Sequence, residues 1–142
     1  MFSATHFSDQ PGVDMLEIKQ LTDDFAVSPQ ISPGDVHKIA ELGFKTIINN
    51  RPDNEEPFQP FNLDIENQAN ELGLTYIHQP VGHLTAEDAA QFGEILKQAP
   101  RPLLAFCRSG TRCSILWVVG SDDLTSMENR IARARDCGYS LG

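Results

Sequence analysis

Residues 103–112 read Leu103-Leu104-Ala105-Phe106-Cys107-Arg108-Ser109-Gly110-Thr111-Arg112, and the fold turns on how this stretch is read. Pro102–Phe106 is short and wholly apolar, the pattern of a strand buried on both faces in the middle of a parallel sheet. Six polar or small residues come next. Cys113–Gly120 is then apolar on all sides and reads as a buried helix, although Val118-Val119 alone would also suit a strand. Strand, tight loop and helix in that order place Cys107 at the carboxyl end of a sheet strand, where open α/β sheets bind their ligands.

The same alternation continues in both directions. Upstream, short strands are expected at Glu17–Leu21 and Phe25–Ser28. Ser32-Pro33-Gly34-Asp35 reads as a helix start, with Ser32 as N-cap, proline at the first helical position and an acid at the third. That helix runs through Val36, Ile39, Ala40 and Leu42 to Gly43. Phe44–Ile48 is a strand closed by Asn49-Asn50, and a proline-rich loop covers 51–60. Phe61, Ile65, Ala69 and Leu72 have helical spacing, and Leu74–Gln79 is the next strand. Thr85-Ala86-Glu87-Asp88 opens a helix with Ala89, Phe92, Leu96 and Ala99 on one face. Downstream, Met127, Ile131 and Ala134 mark a last helix ending at Gly138. The expected architecture is α/β, a mostly parallel central sheet of four or five strands flanked by helices. Residues 1–14 read as a flexible N-terminal arm around Pro11-Gly12, and residues 15–142 as a single α/β catalytic domain.

The chain has 142 residues, 40% hydrophobic and 22% charged, enough for one core without staples. No apolar run approaches the ~18 residues of a membrane span, and the start carries no signal-peptide pattern. Three cysteines form no paired framework, which points to a reducing compartment and a cytoplasmic location. Three cysteines and four histidines show no metal-ligand spacing, so neither metal nor cofactor is expected. A net charge of −9 argues against nucleic acid or anionic membrane as a partner. The charge is unevenly spread. Between Glu94 and Asp122 there is no acid, while Lys97, Arg101, Arg108 and Arg112 give +4 there against −13 in the rest. Such a window suits a small anion on an otherwise acidic protein.

The loop has the makings of a chemical device. Successive backbone N–H groups and a helix N-terminus form an anion nest, with Gly110 allowing the tight turn. Arg108 and Arg112 add forked donors, and Ser109, Gly110 and Thr111 line the substrate side. A cysteine at the mouth of such a nest has a depressed pKa and reacts as thiolate. Isolated cysteines are more often small buried hydrophobes. Here glycine, arginines and strand–loop–helix context converge on Cys107 as catalytic nucleophile, with Arg112 as its partner. Cys113 reads as packed at the start of an apolar helix, with a resolving-thiol role as the alternative.

Cys107-Arg108-Ser109-Gly110-Thr111-Arg112 resembles the active-site loop of rhodaneses, in which a cysteine opens a six-residue loop and becomes a persulfide. The order of elements instead resembles dual-specificity and tyrosine phosphatases. That likeness is carried by Glu41-Leu42-Gly43-Phe44, Thr46-Ile47-Ile48-Asn49-Asn50-Arg51 and the cysteine loop after Leu103-Leu104-Ala105-Phe106. Both features together, with the ending Ala132-Arg133-Ala134-Arg135-Asp136-Cys137-Gly138-Tyr139, resemble the bacterial beta-lactamase-hydrolase-like, phosphatase-like domain family over about residues 15–141. The resemblance implies a dual-specificity-phosphatase-like fold. Phosphatases of this type carry arginine six positions after the cysteine; here Cys113 stands there and Arg112 comes one position early.

That shortened spacing leads to the expectation of a rhodanese-like sulfurtransferase. Cys107 would take the outer sulfur of thiosulfate or a low-molecular-weight persulfide, forming a persulfide discharged to a thiol acceptor. The resemblance further implies a link to sulfide detoxification and to a metal-dependent persulfide dioxygenase as partner. The alternative is a cysteine-dependent phosphatase acting through a phosphocysteine. A third reading is a non-enzymatic domain that binds anions or phosphorylated partners. Phosphoester cleavage calls for a general acid. Asp53, Glu55, Glu56, His83 and Asp88 are candidates, although the Thr85-x-x-Asp88 spacing favours capping for Asp88.

Overall fold

The computed structural model describes residues 16–122 and 126–141. Strands are β1 (Lys19–Thr22), β2 (Phe25–Ser28), β3 (Thr46–Asn49), β4 (Thr75–His78) and β5 (Leu103–Phe106). Helices are α1 (Asp35–Glu41), α2 (Asn62–Glu71), α3 (Ala86–Gln98), α4 (Thr111–Gly120) and α5 (Met127–Asp136). The strands form one sheet in the order β1-β2-β5-β3-β4. β5 is therefore central, flanked by β2 and β3 and parallel to both.

Every residue of β2, β3 and β5 is buried, because helices cover both faces of the sheet. Alternate side chains leave the strands on opposite faces. Phe25, Val27, Ile48, Leu103 and Ala105 pack with Phe92, Leu96, Leu116 and Trp117 of α3 and α4. Ala26, Ile47, Leu104 and Phe106 pack with Val36, Ile39, Ile65 and Ala69 of α1 and α2. Among the described residues, no helix is long and apolar enough to cross a membrane.

Three expectations need correction. The sheet is mixed rather than mostly parallel: β1 runs antiparallel to β2, because two residues join them and so short a link can only make a hairpin. Helix α1 begins at Asp35, not beside Ser32. The Asp35 carboxylate accepts from the Ser32 amide (2.8 Å) and the Asp35 amide donates to the Ser32 carbonyl (3.0 Å), so Ser32–Asp35 closes as a turn ahead of the helix. Helix α4 begins at Thr111, two residues earlier than the apolar run suggests, because Gly110 takes a left-handed conformation (φ 95°) and serves as its N-cap. The arm expected at residues 1–14 lies outside the described residues.

The parallel registers align Ser28, Phe106 and Asn49 across the three central strands. The segments leaving these strands therefore meet at one edge: Gln30 after β2, Asn50-Arg51 after β3, and the cysteine loop after β5. Hydrogen bonds continue the pairing past the strand ends, from Cys107 N to Ser28 O (3.4 Å), Gln30 N to Arg108 O (3.3 Å) and Asn50 N to Phe106 O (2.9 Å).

Candidate active site

Cys107 leaves β5 into the loop with 1% of its surface exposed. The Gly110 amide donates to its Sγ at 3.1 Å, which the left-handed turn at Gly110 makes possible. A hydrogen bond from the Cys113 thiol is the main influence lowering the Cys107 pKa. Burial opposes it, and the amides of Cys113, Gly110 and Ser109 reinforce it, leaving the thiol at about 6. Cys107 is thus a thiolate at neutral pH. Burial, then the hydrogen bond with Cys107 and its charge, push the Cys113 thiol well above its ordinary range, so it stays protonated. Its single proton has two acceptors in reach, the Cys107 sulfur and Asn50 Oδ1 (3.2 Å). Asn50 in turn donates to the Gln79 carbonyl (3.0 Å), and Gln79 Nε2 donates to the Asp88 carbonyl (3.0 Å).

The arginines of the loop are held from outside it. Buried Arg51 donates through Nε to Glu55 Oε1 (2.8 Å), through Nη2 to Glu56 Oε1 (2.6 Å) and through Nη1 to Gln30 Oε1 (3.0 Å). Glu55 also pairs with Arg112, Oε2 to Nη1 at 3.1 Å and Oε1 to Nη2 at 3.3 Å. Arg112 Nη1 donates further to the Val81 carbonyl (2.9 Å). Glu56 Oε2 pairs with the exposed Arg108 at 3.1 Å. The acids therefore bridge Arg51 to Arg112 and Arg51 to Arg108. Burial would raise the Glu55 pKa, but hydrogen bonds from Arg51 and Arg112 outweigh it and hold the carboxyl below its usual value.

The remaining candidates divide. Ser109 Oγ accepts from the Thr111 amide (3.3 Å) and bonds to the Thr111 hydroxyl (3.1 Å), stiffening the exposed lip of the loop. Asp53 is not brought to Cys107; its Oδ1 accepts from the Asn62 amide (2.8 Å) at the start of α2. Asp88 closes a full capping box with Thr85. His83 sits exposed on a bend between β4 and α3. Glu55 and Glu56 reach the site as ion-pair partners, and the Glu55 carboxyl, held below its usual value by the arginines, is ill suited to protonate a leaving group.

Sequence reasoning passed over Asn50, Arg51, Gln30 and Tyr139. The first three come just after the ends of β3 and β2, and the strand-end rule that selected Cys107 applies to them equally. Tyr139 had no such signal. It lies beyond α5, and its Oη would lie 2.5 Å from a Cβ placed on Gly110, so the ring covers the loop's turn. Burial raises the pKa of its hydroxyl, which stays neutral beside the thiolate.

The family described as beta-lactamase hydrolase-like protein, phosphatase-like domain, matches residues 17–123. A beta-lactamase hydrolase-like protein of Agrobacterium fabrum is 32% identical over 127 residues, covering 87% of this chain and 28% of that protein. This chain thus spans under a third of that curated relative. A crystal structure of a candidate phosphatase from Neisseria meningitidis superposes with a TM-score of 0.76 at 38% identity, covering 88% of this chain and 91% of that one. Kinase associated phosphatase with its catalytic-site cysteine changed to serine shares the fold, with a TM-score of 0.67 at 14% identity over 89% of this chain and 85% of its own.

The sulfurtransferase expectation is overturned by these phosphatase matches, the family's and the Neisseria structure's above all. It rested on the Cys107–Arg112 spacing. Spacing fixes where the Arg112 backbone lies, at the first turn of α4, but its guanidinium is placed by Glu55, Val81 and Asn50. The distance along the chain therefore does not select the cargo.

Proposed function

The chain belongs to the beta-lactamase hydrolase-like, phosphatase-like domain family, and from that premise we propose that it is a phosphatase using Cys107 as nucleophile. The observation that carries this reading is a thiol held at about 6 within a nest of amides, at a strand end ringed by three arginines. A phosphate monoester dianion is the ligand such a nest suits.

In the first step the Cys107 thiolate attacks phosphorus. The S–P bond forms as the ester P–O bond breaks, and the leaving oxygen keeps the bonding pair and takes a proton from solvent. The equatorial oxygens carry most of the transition-state charge. Loop amides and Arg112 are fixed donors for that charge and need no reorganisation as it develops. In the second step water attacks the phosphocysteine, the S–P bond breaks, and inorganic phosphate leaves. The Cys113 thiol, still protonated, stabilises Cys107 as it departs as thiolate.

Hydrolysis of p-nitrophenyl phosphate tests this reading. Cys107→Ser is expected to lose at least about 10³-fold in kcat. Rapid quenching of the wild type is expected to trap one phosphoryl group per chain. Phosphate release that survives Cys107→Ser would overturn the assignment.

A further inference from the structure

Gly110 is the pivot of the cysteine loop. Its amide donates to Cys107 Sγ (3.1 Å), and its carbonyl accepts from the amide (3.0 Å) and the hydroxyl (2.9 Å) of Ser114 in α4. Its φ of 95° is one that glycine adopts readily and also leaves readily, because no Cβ restricts the backbone. Glycine thus permits this turn without keeping it. Hydrogen bonds hold the amide and carbonyl sides of the residue. The side where a Cβ would stand meets the ring of Tyr139, with Oη 2.5 Å, Cζ 3.0 Å and Cε1 3.1 Å from that point.

The ring is placed from outside the loop. Helix α5 ends in a Schellman-type reversal. Gly138 turns left-handed (φ 99°), its amide donates to the Arg135 carbonyl (2.9 Å), and the Tyr139 amide donates to the Ala134 carbonyl (3.1 Å). The reversal brings Tyr139 back onto the core cluster that contains Cys107, Cys113 and Leu116. α5 is itself tied down on two sides. Arg133 donates to the Leu21 (3.3 Å) and Gln20 (2.7 Å) carbonyls of β1, and Arg130 donates to the Val118 carbonyl (3.0 Å) of α4. The ring therefore rests on the edge of the sheet and on α4, not on the loop it covers. Tyr139 also lies beyond residues 17–123, the segment that the family matches.

We propose that Tyr139 is a positioning residue for the Cys107 nucleophile: its ring walls the open face of Gly110, so the left-handed turn does not relax and the Gly110 amide stays on the sulfur. The neighbouring loop amides turn with Gly110, so the same wall keeps the nest shaped for an anion. The proposal rests on the phosphatase reading for what the nest holds, and deepens it by adding a residue from the segment after α5.

The test compares wild type, Tyr139→Phe, Tyr139→Leu, Tyr139→Met and Asp88→Ala in the full chain. Asp88→Ala loses the capping box of α3 and serves as a destabilised control. Readouts are Tm, kcat and KM for p-nitrophenyl phosphate, competitive inhibition by inorganic phosphate, and the pH profile of Cys107 alkylation by iodoacetamide. Tyr139→Leu and Tyr139→Met are expected to raise the phosphate inhibition constant about fivefold, the scale of one weakened hydrogen bond. Their alkylation profiles should move up by roughly half a pH unit as the Gly110 amide loosens. Tyr139→Phe keeps Cζ and Cε1 in place, so both quantities should stay within about twofold of wild type. Asp88→Ala should lower Tm and move neither. Leu and Met variants that bind phosphate and alkylate as wild type does overturn the proposal. So does a Phe variant impaired as far as Leu, or an Asp88→Ala profile displaced equally for the same loss of Tm. A wild type without Cys107-dependent turnover overturns the phosphatase reading instead, and the alkylation profiles still decide what Tyr139 does for the thiolate.

Discussion

The buried Cys113 thiol, bonded to Asn50 Oδ1 at 3.2 Å, also has the Cys107 sulfur in reach, and no other contact lowers the Cys107 pKa as much. One residue thereby serves both the core of α4 and the chemistry of the loop. The position where phosphatases of this type carry arginine holds a thiol that, with the loop amides, favours the ionised nucleophile. Replacing Cys113 by alanine removes the donor and leaves a small cavity. The Cys107 pKa should rise from about 6 toward the ordinary thiol range, while Cys113→Ser, which keeps a donor, should hold it nearer the wild-type value. Iodoacetamide alkylation across pH 5–9 measures both.

The same thiol sets the pH response. The kcat/KM for an aryl phosphate should rise with pH through about 6 as Cys107 ionises, then level off. Its folded-state pKa lies below that of an unfolded cysteine, so ionisation contributes stability. That contribution is complete above the unfolded value of roughly 8.5 and is lost as pH falls through about 6. Urea unfolding of wild type and Cys107→Ser at pH 5.5 and 8.5 should show the larger pH dependence in the wild type.

Helices α3 and α4 meet backbone to backbone. A Cβ on Gly93 would strike the Gly120 carbonyl, and one on Gly120 the Ala89 carbonyl. Backbone cannot swing aside as a side chain can. Gly120→Ala and Gly93→Ala should each cost about 1–3 kcal/mol through overpacking. Calorimetry should find Tm lowered by roughly 5–10 °C.

Asp88 separates capping from catalysis. Its carboxylate accepts from the Thr85 amide (3.1 Å) and hydroxyl (2.9 Å), and its amide donates back to Thr85 Oγ1 (3.1 Å). Asp88→Ala should cost about 1 kcal/mol of stability, the usual worth of a cap. Its kcat/KM should stay within about twofold of wild type at every pH tested. A lost limb of the pH–rate profile would instead mark Asp88 as the general acid.

Legibility in the sequence tracked the range of the interactions involved. Strands β2, β3 and β5 and the four later helices could be read from apolar runs and spacing, because each buries its own residues against whatever covers it. The Thr85–Asp88 box and the nest at Cys107 were equally visible, since both are closed by residues within a few positions of one another. Misreadings came where a local pattern had a rival. Ser32-Pro33-Gly34-Asp35 satisfies a turn as well as a helix start. A short antiparallel edge beside parallel strands depends on a hairpin link that composition does not reveal.

By itself, then, the sequence determined an α/β chain with a cysteine nest at the end of a central strand, because backbone conformation there answers to residues close in the chain. Only the tertiary structure decided where the long charged side chains end. Arg51, Glu55 and Glu56 lie about 50–60 positions from the loop. They act on Arg108 and Arg112 because β3 and β5 are neighbours in register, with Asn49 beside Phe106. The family match settled that the sequence had misread the site's cargo, for a charged end several bonds from its own backbone is placed by partners that no local spacing can name.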